Sequence, residues 1–391
     1  MNAKLLAVLV SKTQRVLRTP KFFEFRGKRN FLSLRGNKIT MQRIINVSFL
    51  TPGFEVVNEG HIVVEDGRIS DAADGFIAGE PYRDFLAVPG MINSHTHLGD
   101  AFAKGADFSG LSVNEAVGPK GLKWKLYENS TRRQRISAMR KTAGYMLSSG
   151  TTTFADFREF GNEGIAELRA ALRGIAIKPV VLGRNCELSK CGGLGLNVDS
   201  LGQIQNNMKK IIAIHAGENT GEIEIALKYD PDVLIHFTKA TEQEIETAAR
   251  RGLSVVACPR SNMKLGAGKP PLRQMLDAGI NAALGTDNAM INTPDMWCEM
   301  KFVFENFDVS PEEILRMATI NGAKAFGLNA GAIEKGRFAD IVFTDKPNSD
   351  AVYWLAEKCG AGNVKGVMVG GKLIIGDYGK SAPVIHGNRY I

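Results

Sequence analysis

The chain has 391 residues, 44% hydrophobic and 23% charged, an ordinary globular balance that excludes wholesale disorder, collagen and a disulfide scaffold. No apolar run approaches about 18 residues, so no membrane-spanning helix is expected, and five cysteines without a C-x-x-C pair fit a reduced, cytoplasmic setting. The net charge of +8 is uneven: residues 1–40 hold ten Lys or Arg against Glu24, a local +9, so residues 41–391 carry −1 and offer no nucleic-acid footprint.

Residues 1–40 read as a basic, flexible N-terminal extension. Their apolar run, Leu5 to Val10, is shorter than a signal-peptide core, and no small-residue cleavage site follows. Met41 reads as the natural beginning, because strand-like sequence starts at once. Residues 44–50 and 61–65 read as strands, Asp66-Gly67 as a hairpin turn and 67–69 as the returning strand. A further run, 85–92, leads into Asn93-Ser94-His95-Thr96-His97.

The texture then changes. Strands are expected at 152–156, 176–182, 193–198, 211–215, 233–236, 254–258 and 282–285. Helices are expected at 131–148, 161–172, 241–250, 271–278 and 311–326. Strand-then-helix repetition implies parallel strands with helices outside, either a doubly wound sheet or a closed barrel. The C-terminus returns to short strands at 339–344, 364–369 and 372–375, with Gly370-Gly371 as a hairpin signal. Neither β-rich end can bury a core alone, so the two pair in one small domain.

Five polar residues sit where apolar strands stop. His95 and His97 lie one residue apart, so on a strand both rings point the same way. His215 ends 211–215, His236 ends 233–236, and Asp287 follows 282–285. In a parallel barrel these positions share one mouth, and imidazoles with a carboxylate there suit a divalent metal. Glu218, three residues after His215, lies near that metal as a proton shuttle. His61 and His386, in the terminal strands, read as surface residues. Arg158 and Arg184 end strand-like runs and suit either an anionic or carbonyl group or a salt bridge. Gly266-Ala267-Gly268-Lys269 is no phosphate loop, because Pro270 stands where Ser or Thr is needed.

Six ordered motifs carry a resemblance: Pro89-Gly90-Met91-Ile92-Asn93-Ser94-His95-Thr96-His97, Gly150-Thr151-Thr152-Thr153, His215-Ala216-Gly217-Glu218, Cys258-Pro259-Arg260-Ser261-Asn262-Met263-Lys264-Leu265, Gly285-Thr286-Asp287 and Gly336-Arg337-Phe338-Ala339-Asp340-Ile341-Val342. Over residues 43–376 the sequence resembles the amidohydrolase superfamily. It is most similar to the branch of cytosine, guanine and S-adenosylhomocysteine deaminases and triazine chlorohydrolases.

The resemblance implies an α/β fold: a (β/α)8 TIM-type barrel over 92–336, with a small β-sandwich built from 41–91 and 337–391. It implies that His95, His97, His215 and Asp287 bind one Zn2+ or Fe2+. His236 would hydrogen-bond the activated water or the substrate, and Glu218 would carry protons. No lysine lies in 191–198, and Lys178 falls in the third strand, so a single metal is expected rather than a pair bridged by a modified lysine. The activity implied is hydrolytic deamination of a purine, pyrimidine, pterin or adenosyl nucleoside. Catalysis falls to Glu218, His236 and Asp287. Competing readings are a cyclic amide or imide hydrolase on the same barrel and a catalytically silent scaffold. The partner expected is a small molecule, not nucleic acid or a membrane, with a homo-oligomer as an option.

Overall fold

Apolar runs bounded by Gly, Pro and Asp become strands throughout the chain, alternating in pattern at its ends and nearly continuous in its middle. The computed structural model describes residues 31–35, 38–205 and 209–376. Five strands come first: β1 (Phe31–Arg35), β2 (Lys38–Leu50), β3 (Val56–Glu65), β4 (Arg68–Asp74) and β5 (Glu80–Pro89). Nine follow through the middle: β6 (Met91–His97), β7 (Thr151–Arg158), β8 (Lys178–Gly183), β9 (Gly193–Asn197), β10 (Ile211–Ala216), β11 (Val233–His236), β12 (Ser254–Ala257), β13 (Asn281–Leu284) and β14 (Asp287–Asn288). The last three are β15 (Ile341–Asp345), β16 (Val364–Val369) and β17 (Lys372–Ile375).

These strands make two sheets. One joins both ends of the chain in the order β17-β16-β15-β5-β2-β3-β4, with β1 on β2. Its core holds Ile45, Val47, Ile62, Phe343 and Met368. The other is parallel throughout, in the order β13-β12-β11-β10-β9-β8-β7-β6-β14. Its two edge pieces, β13 and β14, are separated only by Gly285-Thr286. Gly285 N donates to Ala257 O beside β12, and Thr286 N donates to His95 O in β6, so the stretch 281–288 bonds both edges. Gly285 is required there, because a Cβ would lie 2.6 Å from His95 Cβ.

Several expectations change. The first long strand begins at Lys38, ahead of Met41, and pairs with β1. The helix expected over 311–326 is two helices, Pro311–Ala318 and Ile320–Ala325, broken where Thr319 takes φ −134° and ψ −94°. Short helices Val113–Val117 and Leu122–Glu128 span too few turns for their periodicity to stand out. His61 is not a surface residue: it is buried in β3 between β2 and β4. Its Nδ1 lies 2.6 Å from Gly75 O. His386 lies outside the described residues, as does most of the basic extension. No helix among the described residues is long and apolar enough to cross a membrane.

Candidate active site

The ends of β6, β10 and β11 and the start of β14 lie at one edge of the parallel sheet, and they bring five of the predicted residues together. His215 Nε2 lies 3.2 Å from His95 Nε2 and 3.2 Å from His97 Nε2. Asp287 Oδ1 lies 3.2 Å from His95 Nε2 and 3.6 Å from His97 Nε2. His236, wholly buried, has a ring nitrogen within 4.8 Å of ligating atoms of His95 and Asp287. Its Nε2 is 3.6 Å from Glu218 Oε2.

The donor set fits a metal ion. A tetrahedral ion about 2.0–2.1 Å from each donor separates the donors by about 3.3–3.4 Å, close to the separations of 3.2 to 3.6 Å seen here. The far nitrogens are already engaged. His97 Nδ1 donates to Glu159 Oε1 at 3.0 Å, and His215 Nδ1 donates to Asn197 Oδ1 at 2.8 Å. With their protons on Nδ1, both rings present Nε2 lone pairs to one point, as metal-binding imidazoles do. Burial lowers the His95 pKa to about 3 and holds His215 well below its ordinary value, so both are neutral. Burial opposes ionisation of Asp287, but the bond from His95 and the neighbouring imidazoles keep it well below the carboxylate range. Burial lowers the His97 pKa, but the Glu159 carboxylate outweighs burial and raises it. Three imidazole Nε2 atoms and a carboxylate converging in a largely buried site suit a cation.

Local structure fixes these groups. Asp287 and His236 take positive φ, 58° and 76°, a strained backbone of the kind that clusters at functional sites. Ser261 Oγ donates to Asp287 Oδ2 at 2.5 Å, and Asn262 Nδ2 lies 3.0 Å from His236 Nδ1. Both come from helix Pro259–Lys264. Glu222 Oε2 accepts from the backbone N–H groups of Gly217, Glu218 and Asn219 at 3.0, 3.1 and 3.1 Å, which sets the loop carrying Glu218. Burial pushes the Glu218 carboxyl above its ordinary value. A cavity of about 200 Å3 opens over these residues, walled by Val117, Trp124, Arg184, Asn197 and Leu265.

Sequence reasoning missed Glu159, Asn197, Glu222, Lys123 and Asp100. Each is polar, yet only the fold puts it against a predicted ligand or the cavity. Ser261 and Asn262 were inside a quoted motif without a role. Arg158 takes the salt-bridge alternative, with Asp156 at 3.1 Å and Glu159 at 3.0 Å, whereas Arg184 faces the cavity. A further metal-capable group, His97 with Asp100 and Glu159, is filled by the Lys123 ammonium, 2.8 Å from Asp100 and 2.7 Å from Glu159. Lys178 is bound to Asp340 at 2.6 and 2.7 Å, away from the cluster.

A parallel sheet with imidazoles and a carboxylate converging at one edge defines a metal-site hydrolase class, and the comparisons agree. The family model described as Amidohydrolase family matches residues 86–219 and 198–374. The chain belongs to the amidohydrolase family. An archaeal relative from Methanothermobacter thermautotrophicus, named only in general terms as an aminohydrolase, is 31% identical over 80% of this chain and 94% of its own length. The 5-methylthioadenosine/S-adenosylhomocysteine deaminase of Thermococcus onnurineus is 30% identical, covering 83% of this chain and 90% of that protein. Among solved structures, a zinc-bound adenosine deaminase from Xanthomonas campestris superposes with a TM-score of 0.69 at 21% identity, over 85% of this chain and 92% of that one.

Proposed function

We propose that this chain is a metal-dependent hydrolytic deaminase that releases ammonia from an amino-substituted nitrogen heterocycle: a purine, a pyrimidine, a pterin or an adenosyl nucleoside. One observation carries the reading: three imidazole Nε2 atoms meet Asp287 Oδ1 beside the half-buried acid Glu218. The deaminase name of the Thermococcus relative supports it. The pairing of 281–288 with both sheet edges supports closure into a (β/α)8 barrel over 92–336. The terminal strands, from 41–91 and 337–391, form the small β-sandwich beside it in this reading, with β1 and the start of β2 added to the same sheet, and the enzyme works in the cytoplasm.

His95, His97, His215 and Asp287 would hold one divalent ion, zinc in the first place and iron(II) as the alternative, because both accept imidazole and carboxylate donors. When bound, the ion supplies Lewis acidity, which brings the pKa of water in contact with it from about 15.7 to about 7. Asp287, kept ionised, accepts the proton of the attacking water. Glu218, whose carboxyl burial shifts toward the protonated form, gives a proton to a ring nitrogen and makes the amine-bearing carbon electrophilic. The water oxygen adds there, the proton held by Asp287 passes to the amine, ammonia leaves, and the remaining hydroxyl proton of the adduct returns to Glu218. His236 turns Nδ1 to Asn262 and Nε2 toward Glu218, where it hydrogen-bonds the new C–O group. Lys178 bound to Asp340 and a lysine-free β9 favour one ion over two.

The test is an ammonia-release screen of purines, pterins, pyrimidines and adenosyl nucleosides, with metal content measured on the same preparation. Ammonia in step with substrate loss, from a preparation near one ion per chain, is expected. A cyclic amide opened to a carboxylate without ammonia would replace the deaminase reading with the amide-hydrolase one. No turnover of any member by metal-loaded protein would leave the silent scaffold.

A further inference from the structure

The segment between β6 and β7 buries a cation that the proposed reaction does not use. Lys123, in helix Leu122–Glu128, is only 4% exposed. A buried ammonium is costly unless it is paired and hydrogen-bonded, so its partners identify what the fold requires of it. Its Nζ lies 2.7 Å from Glu159 Oε1 and 2.8 Å from Asp100 Oδ2. Both carboxylates lead directly to predicted ligands. Glu159 Oε1 accepts the Nδ1 proton of His97 at 3.0 Å. Asp100 Oδ2 accepts from Asn288 Nδ2 at 2.7 Å, and Asn288 follows Asp287 in β14. Tyr127, one turn beyond Lys123 on the same helix, donates to Asp100 Oδ1 at 2.7 Å.

The two arms reach opposite members of the cluster. His97 is at the end of β6, and Asp287 opens β14, which pairs with β6 at Asp287–Thr96 and Asn288–His97. Arg158 also touches Glu159, but its other partner is Asp156. Among the described residues only Lys123 bonds both Glu159 and Asp100.

We propose that Lys123 is a positioning residue of the metal centre. One buried ammonium fixes two ligand-bearing segments, His97 through Glu159 and the Asp287 strand through Asp100 and Asn288. The inference rests on the metal-site reading given above and not on the choice of substrate. It also ties the ligand cluster to the helix whose neighbouring residue, Trp124, walls the cavity.

The test compares wild type, K123M, K123R, E159Q and N288A. Zinc affinity is measured by competition with a chromogenic chelator, and cobalt(II)-substituted protein is recorded by visible absorption. Groups that hold a metal-binding imidazole from behind typically contribute 10–100-fold to metal affinity. K123M and E159Q are expected to lose about that much and to alter the cobalt spectrum. K123R, which keeps the charge, recovers part of the loss, and N288A, which cuts one arm, loses less than K123M. Circular dichroism and thermal melting in excess chelator report folding separately. Wild-type affinity and spectrum in folded K123M would overturn the proposal. If K123M does not fold, unchanged affinity in both E159Q and N288A overturns it equally, and a loss in both supports it. Should the affinity order hold while no heterocycle yields ammonia, the deaminase reading fails and the positioning role stands.

Discussion

His61 and His97 are both buried histidines on β-strands, yet only one faces a cluster of donors. In the sheet built from the chain ends, His61 has local partners for both ring nitrogens, Gly75 O at 2.6 Å and Asp71 Oδ2 at 3.4 Å. In the parallel sheet, His97 and His215 each engage Nδ1 and leave Nε2 directed at a common point. The difference comes from strand placement. β3 is an inner strand with antiparallel neighbours on both sides, and His61 meets the turn that follows β4. β6 and β10 run parallel and stop at one edge, so their terminal side chains share a site. Burial alone does not set these histidines apart; a convergent Nε2 does, backed in His97 and His215 by an engaged Nδ1.

The contrast breaks most decisively at the proposed ligands. His95→Ala or His215→Ala should abolish bound metal and reduce turnover to background, as read by metal analysis after dialysis. Full metal occupancy in either variant would mean that the convergent nitrogens are not the ligands. The next largest effect is at the acid: Glu218→Gln should keep the metal and lower kcat by at least about 100-fold, since a positioned proton donor contributes about 10²–10⁴ in rate. Because burial raises the Glu218 pKa and the proposed role uses the protonated form, kcat should fall as pH rises through a value above the ordinary 4.5. Glu218→Gln should lose that limb of the profile, and its persistence would assign it to another group.

The other side of the contrast is sharpened by His61→Ala. It should leave metal content and kcat unchanged while costing about 1–3 kcal/mol of stability, because buried hydrogen bonds are lost and Gly75 O is left without its ring partner. Loss of metal would erase the distinction drawn between the two sheets. The smallest effect is expected at Glu299, whose carboxyl burial raises to about 7. It accepts from Arg260 N at 3.0 Å, at the start of the helix carrying Ser261 and Asn262. A raised carboxyl pKa means the folded state holds the proton longer than the unfolded chain. Stability contributed by this group is therefore present at low pH and declines as pH rises from about 4.5 toward about 7. Thermal melts at pH 5 and pH 8 should show Glu299→Gln gaining on wild type at the higher pH, and a constant gap would contradict the assignment.

The five residues at strand ends were legible because each closes an apolar run, and a polar group placed there has to go to the strand's exit. The strand ending at His236 was legible for the same reason, whereas the strand at 193–197 was expected only because the alternation required one in a stretch poor in local signals. His61 was not legible, because the pattern of one strand does not tell what covers it. Glu159, Asn197 and Glu222 were illegible as functional residues, since an acid or amide at the end of a strand or the start of a helix has the same local signature whether it is solvated or orients another side chain. The helices at 113–117 and 122–128 escaped notice because five to seven residues hold too little periodicity, and Lys123 went with them.

By itself the order of residues determined the run of strands, the places where they stop and the donor types offered there, because period and polarity are local properties of a chain. Tertiary structure decided which of those donors meet. Convergence requires parallel strands that end at one edge, a stretch at 281–288 that bonds both sides of the sheet, and a buried cation joining two carboxylates from separate loops. These are contacts between residues 23 to 193 positions apart, and no short window of sequence contains both partners.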